Sequence, residues 1–138
     1  AAIKVSEYIR VCVDNDVDSA RRSLARAMIG YALGPPGDAG GGALGYRGHF
    51  ERMGFTETLS ELDQMRDRGA SADEMADAFP AELLKQVGYY GPPAGAAKAL
   101  HRLSRGLDVA IVRVIGARPG VEPVLAAMRA CRPEAVKA

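Results

Sequence analysis

Ile3 to Val13 reads IKVSEYIRVCV, and Val109 to Ile115 reads VAIVRVI. In the first stretch Ile3, Val5, Ile9, Val11 and Val13 take odd positions, with Lys4, Ser6 and Arg10 between them. β-Branched residues at period two mark a strand. Glu7 and Tyr8 break the alternation, so the two faces of this strand are not equally dry. The second stretch is a near-continuous apolar run, the pattern of a strand covered on both faces in a parallel sheet.

The residues between these strands read as helices and turns. Asp14-Asn15-Asp16 ends the first strand, and Asp16 can cap a helix over Val17 to Leu33. Ala20, Leu24, Ala27 with Met28, and Tyr31 share one face of that helix. Gly34 to Gly45, GPPGDAGGGALG, is a Gly/Pro-rich connector. Its Gly40-Gly41-Gly42 run comes after a helix instead of a strand, which is the wrong context for a phosphate loop.

Residues 46–91 read as a helical insertion. Thr56 or Thr58 can cap a helix carrying Leu59, Leu62 and Met65, and Gly69 closes it. Ser71 with Glu74 forms a capping box for a helix ending at Ala78. Pro80 suits the first turn of a helix over Ala81 to Val87. Gly88-Tyr89-Tyr90-Gly91 reads as a turn. Pro92 to Arg105 and Val121 to Cys131 complete the helices, with Ala96, Ala99, Leu100 and Leu103 facing inward and Gly106 as a stop.

The order is therefore β–α–helical insertion–α–β–α, an α/β arrangement whose two strands, joined through helices, should be parallel. Two parallel strands are not a stable sheet alone. The chain also opens on Ala1-Ala2-Ile3, without Met and almost inside a strand. Both features lead to the expectation that these residues are a piece of a larger protein.

Composition narrows the function classes. The chain has 138 residues, 48% of them hydrophobic and 25% charged, which suits one globular domain and excludes disorder. Eighteen Lys and Arg against 17 Asp and Glu leave a net charge of +1, too little to favour nucleic acid or an anionic membrane as a partner. No stretch approaches the roughly 18 apolar residues of a membrane helix. Cys12 and Cys131 stand far apart in sequence, so neither a disulfide framework nor a zinc site is expected, and reduced thiols in a cytoplasmic protein are. No His, Cys, Asp and Glu group has metal-site spacing.

Several stretches carry a family resemblance. Gly45 to Phe55, GYRGHFERMGF, resembles the "Y…HF…GF" segment of luciferase-like flavin or deazaflavin oxidoreductases. Phe79-Pro80-Ala81-Glu82-Leu83-Leu84, then Val87-Gly88 and Gly91-Pro92, is similar to that family's "P-x-E-L…G-P" stretch. Leu103 to Val114, with Gly106-Leu107-Asp108-Val109 inside it, resembles the entry into its last barrel strand. The strand Val5 to Val13 and the helix after it fit the family's seventh strand and helix. The ordered set spans nearly the whole chain, although no single motif is diagnostic.

The resemblance implies a (β/α)8 TIM barrel, with this chain as its C-terminal part. It also implies an oxidoreductase or monooxygenase that moves a hydride, or activates oxygen, with reduced coenzyme F420 (a deazaflavin) or, alternatively, FMN. The Ala/Gly/Arg-rich style leans to F420. A small-molecule substrate would be the partner of the complete enzyme. Most of the cofactor pocket would come from strands preceding Ala1, so the chain alone is expected to be inactive.

Chemistry in a barrel sits at the carboxyl ends of the strands. That singles out Asp14-Asn15-Asp16 and the turn Gly116-Ala117-Arg118-Pro119-Gly120. Arg118 can meet a cofactor phosphate or acidic substrate with its planar fork; otherwise it is an exposed turn arginine. Gly116 and Gly120 would allow close backbone approach, or simply shape the turn. Asp14 and Asp16 suit helix capping better than acid–base work. Tyr89 and Tyr90 would line the pocket mouth, or pack in a core or interface. His49, between Gly48 and Phe50, suits packing or surface exposure better than proton transfer, and His101 among Lys98, Arg102 and Arg105 suits a solvated face. No residue is assigned a catalytic role. The competing class is a non-catalytic α/β module that self-assembles through its strand edges and through an apolar face containing Val5, Ile9, Val11 and Ile111.

Overall fold

A computed structural model describes residues 2–35 and 45–133. The Gly40–Gly42 run and most of the connector lie outside the described residues. The elements are β1 (Ser6–Val13), α1 (Val17–Leu33), α2 (Tyr46–Phe50), a π-helical turn (Glu51–Phe55), α3 (Thr56–Asp67), α4 (Ala72–Ala78), α5 (Ala81–Val87), β2 (Gly88–Gly91), α6 (Pro93–Leu103), β3 (Val109–Val114) and α7 (Glu122–Ala130). They fall into two compact units, one of residues 1–24 with 84–138, the other Ala25–Leu83.

The first unit is α/β. Its three-stranded parallel sheet has the order β2-β1-β3. The predicted strands are neighbours and parallel, with Ile9 opposite Val112 and Val11 opposite Val114. β1 starts at Ser6, not Ile3. Before it, the Val5 N–H donates to Asp108 Oδ2 at 2.8 Å, and the Val5 carbonyl accepts from the Asp108 and Val109 N–H groups.

The expected turn at Gly88–Gly91 is instead a third strand, so the sheet has three strands where two were expected. β2 pairs with Arg10 to Val13 of β1. Glycine makes that pairing possible: a Cβ at Gly88 would lie 2.3 Å from the Arg10 carbonyl oxygen.

Ile9, Val11 and Val13 point to one face, where they are buried with Ala96 of α6, Ala127 of α7 and Cys131. Tyr89, Leu100, Leu103, Val112 and Val114 pack around that cluster. Ile9 and Val11, expected to lie open to water, are therefore covered by α6 and α7. Val5 does remain half exposed. β3 also departs from its expected burial on both faces. It is an edge strand among the described residues, and Val109 is 47% exposed.

Local signals set the helix ends. Asp16 Oδ1 accepts from the Ser19 N–H at 3.1 Å and caps α1. Gly106, at φ +82°, comes after α6 in the left-handed region that glycine tolerates best.

The second unit is helical. Phe50, Leu59, Leu62, Met75 and Phe79 are buried in it. The Ser71–Glu74 capping box forms as expected, and its hydrogen bonds hold the Glu74 carboxyl below the usual carboxylate range. α3 departs from expectation, because Phe55 occupies its N-cap position and neither Thr56 nor Thr58 caps it. The cause is the π-helical turn, whose Gly54 at φ +96° carries α2 into α3 without a clean start. Among the described residues no helix is long and apolar enough to cross a membrane.

Candidate functional site

Parallel strands all deliver their succeeding loops to one end of the sheet. In open α/β sheets and in barrels alike, ligands bind at that carboxyl end. Here a crevice of about 430 Å³ lies there, lined by Val13, Asp14, Asn15, Pro93, Arg118, Pro119, Glu122, Pro123 and Ala126. Val13, Asp14 and Asn15 come from the end of β1, Arg118 and Pro119 from the loop after β3, and Pro93 from the first turn of α6.

Asp14 ties the three strand ends together. Its N–H donates to the Gly91 carbonyl at the end of β2, at 3.0 Å. Its Oδ1 accepts from the Asp16 N–H at 2.9 Å, shaping the approach to α1. Its Oδ2 meets Arg118 Nη2 at 2.9 Å, reaching the loop after β3. The Ser23 hydroxyl, donating to the Ala117 carbonyl at 3.4 Å, adds a second tie to that loop.

The ion pair is lopsided. The Asp14 side chain is 8% exposed and the Arg118 side chain 71%. One face of the guanidinium is committed to Asp14 and the rest meets water, so Arg118 keeps donors free for a second partner. Glu122 adds a negative charge to the lining. α6 and α7 begin beside the crevice, and neither N-terminus has a side-chain cap. Their amide groups and dipoles offset some of the acidic charge.

The remaining candidate residues shape the surroundings of the crevice or lie away from it. Gly116 and Gly120 belong to the loop that carries Arg118 but do not line the crevice. A Cβ at Gly116 would come 3.2 Å from the Arg118 carbonyl oxygen, and Gly120 has φ +107°, so both glycines shape the loop. Tyr89 and Tyr90 sit in β2, outside the crevice lining. The Tyr89 hydroxyl donates to the Pro92 carbonyl at 2.6 Å and so fixes the start of α6 from behind the wall. His49 is exposed beside Phe50, with ring centroids 5.9 Å apart.

Sequence reasoning missed Pro93 and Glu122. The available signal was their position, since each opens a helix at the carboxyl end of the sheet.

A second, more apolar groove of about 590 Å³ lies along β3 between α6 and the end of α7. It includes exposed His101 and buried Cys131 but, among the described residues, no carboxylate or guanidinium. The smaller crevice is the better candidate site because polar and charged groups from several loops converge there.

Burial, with a smaller contribution from the charge of Asp14, pushes the Cys12 thiol up to about 12, and burial also raises Cys131. Both thiols stay protonated at neutral pH and are poor nucleophiles. No group of three or more His, Cys, Asp or Glu among the described residues could hold a metal ion. No protein-family model, curated protein or solved structure matches the chain.

Proposed function

We propose that this chain is the C-terminal part of a luciferase-like oxidoreductase, and that it supplies an anion-holding arginine at the carboxyl end of the barrel. The reaction class is hydride transfer or oxygen activation with a reduced deazaflavin, coenzyme F420, or alternatively FMN. One observation carries the reading: β1 and β3, which hold two of the family-like stretches, are parallel neighbours ending at one crevice from which Arg118 projects.

The crevice suits part of such a cofactor. Arg118 and the uncapped start of α7 suit a phosphate or carboxylate. Among the described residues no aromatic side chain lines the crevice, and on this reading the flat walls for a tricyclic ring come from elsewhere in the enzyme. The chain's own task is to bind and orient the anionic end, and no redox step is assigned to its residues.

Barrel closure requires a neighbour on each outer side. β3 has a free outer edge among the described residues, and β2 pairs only with Arg10 to Val13, leaving Ser6 to Ile9 open on that side of β1. A second reading is favoured by the order β2-β1-β3, which reverses direction as in a doubly wound sheet. On that reading the chain is a self-contained α/β module with its ligand at the same crevice.

Spectroscopic titration with F420 and FMN separates the two. The first reading expects tight binding by a longer protein carrying this chain and weak binding by the 138-residue chain. Micromolar or tighter binding by the chain alone favours the second. Failure of the longer protein to bind either cofactor overturns the oxidoreductase assignment.

A further inference from the structure

Arg118 has a partner already, and that partner is built into the fold. The Asp14 side chain is only 8% exposed, and its backbone and both carboxylate oxygens are engaged, by Gly91, Asp16 and Arg118. Arg118 sits on an exposed loop, and most of its side chain meets water. An anionic group entering the crevice therefore meets a guanidinium held by a fixed carboxylate, with Glu122 adding further repulsion.

We propose that Asp14 is the resident counter-ion of the crevice, and that an anionic ligand binds by drawing Arg118 away from it. The inference rests on the reading of the crevice as an anion site. Asp14 is then a specificity-determining residue. It sets a threshold that a strongly charged phosphate overcomes and a weakly charged group does not, and it keeps Arg118 folded against the strand ends when no ligand is present. Removing its charge should tighten anion binding, whereas loss of a residue that itself binds the ligand would weaken it.

Asp14→Asn is the sharp variant, because the amide oxygen can still accept from the Asp16 N–H while the charge is lost. Calorimetric titration of the 138-residue chain with pyrophosphate should show Asp14→Asn binding about fivefold tighter than the natural chain, the scale of an exposed ion pair. Arg118→Ala should bind more weakly than the natural chain. Phenylglyoxal should modify Arg118 faster in Asp14→Asn, a readout that needs no ligand. If Asp14→Asn does not fold, Asp14→Ser carries the same expectations, since its hydroxyl can also accept from the Asp16 N–H.

Binding by Asp14→Asn that is equal to or weaker than that of the natural chain, with Arg118→Ala still weakened, overturns the counter-ion role and leaves the anion site standing. Equal binding by Arg118→Ala and the natural chain, or no pyrophosphate binding by any variant, overturns both.

Discussion

The two compact units each contain an arginine–carboxylate system, and the two systems are built in opposite ways. In the helical unit Asp63 receives both Arg47 and Arg66, and Arg47 also bonds Glu51 at 2.8 Å. Arg66 continues to the carbonyl of Gly34 at 2.9 Å, near the end of α1. The Arg47 side chain is 11% exposed and Arg66 24%. Burial opposes the charge of Arg47, but its bonds to Glu51 and Asp63 outweigh this and raise its pKa. In the α/β unit the carboxylate is hidden and the guanidinium is open. Arg47, enclosed by two carboxylates, is committed to the fold, whereas a guanidinium held at a single corner beside a crevice can take a ligand.

This contrast orders the expected effects. The largest is in the helical unit. Asp63→Ala leaves two largely buried guanidinium groups without their shared carboxylate and should cost about 3 kcal/mol, by the precedent of broken buried pairs. Urea unfolding monitored by circular dichroism measures it. A loss below about 0.5 kcal/mol would put the network in the class of exposed ion pairs and erase the contrast.

Next is the strand pairing that supports the crevice. Gly88→Ala places a methyl group against the Arg10 carbonyl oxygen and should separate β2 from β1. Overpacking of this kind costs about 2–3 kcal/mol. Faster amide exchange at Asp14, whose N–H bonds Gly91, should accompany it. An unchanged exchange rate would show that β2 does not organise the strand ends.

A smaller effect depends on pH. The Cys12 thiol titrates near 9 when free and is pushed up to about 12 in the fold. The folded state therefore holds its proton where the unfolded chain releases it. This contribution to stability is fully present below about 9, declines as pH rises from there, and is gone above about 12. Urea midpoints measured at neutral pH and near pH 10 should fall in the natural chain and fall less in Cys12→Ala. Equal slopes would mean that Cys12 is more accessible than its place in β1 implies.

The parts of the fold visible in the sequence are those governed by local chemistry. β1 and β3 stand out because β-branched residues recur through them, and α1 because Asp16 caps an amphipathic run. β2 is not legible in the same way. Its Gly-Tyr-Tyr-Gly has the composition of a turn, and its strand character comes from the close approach of Gly88 to Arg10, a tertiary contact without a local signature. The same limit applies to the site. The position of Arg118 after a strand points to it, whereas the engagement of Asp14 by Gly91, Asp16 and Arg118 depends on three chain segments meeting at the sheet's end. The burial of Ile9 and Val11 is hidden for a related reason, since a count of only two strands does not reveal how α6 and α7 cover β1.

The central claim is that the open guanidinium of Arg118 serves a ligand while the enclosed one of Arg47 serves the fold. Equilibrium titration, with F420 and with FMN, of the longer oxidoreductase proposed to carry this chain, comparing the natural residue with Arg118→Ala, tests it most directly. About tenfold weaker binding of whichever of the two binds is expected, the scale of a charge-assisted hydrogen bond, with a fall in the urea midpoint no larger than the loss of an exposed ion pair gives. Unaltered affinity for both cofactors, or a loss of stability comparable to that of Asp63→Ala, would contradict it.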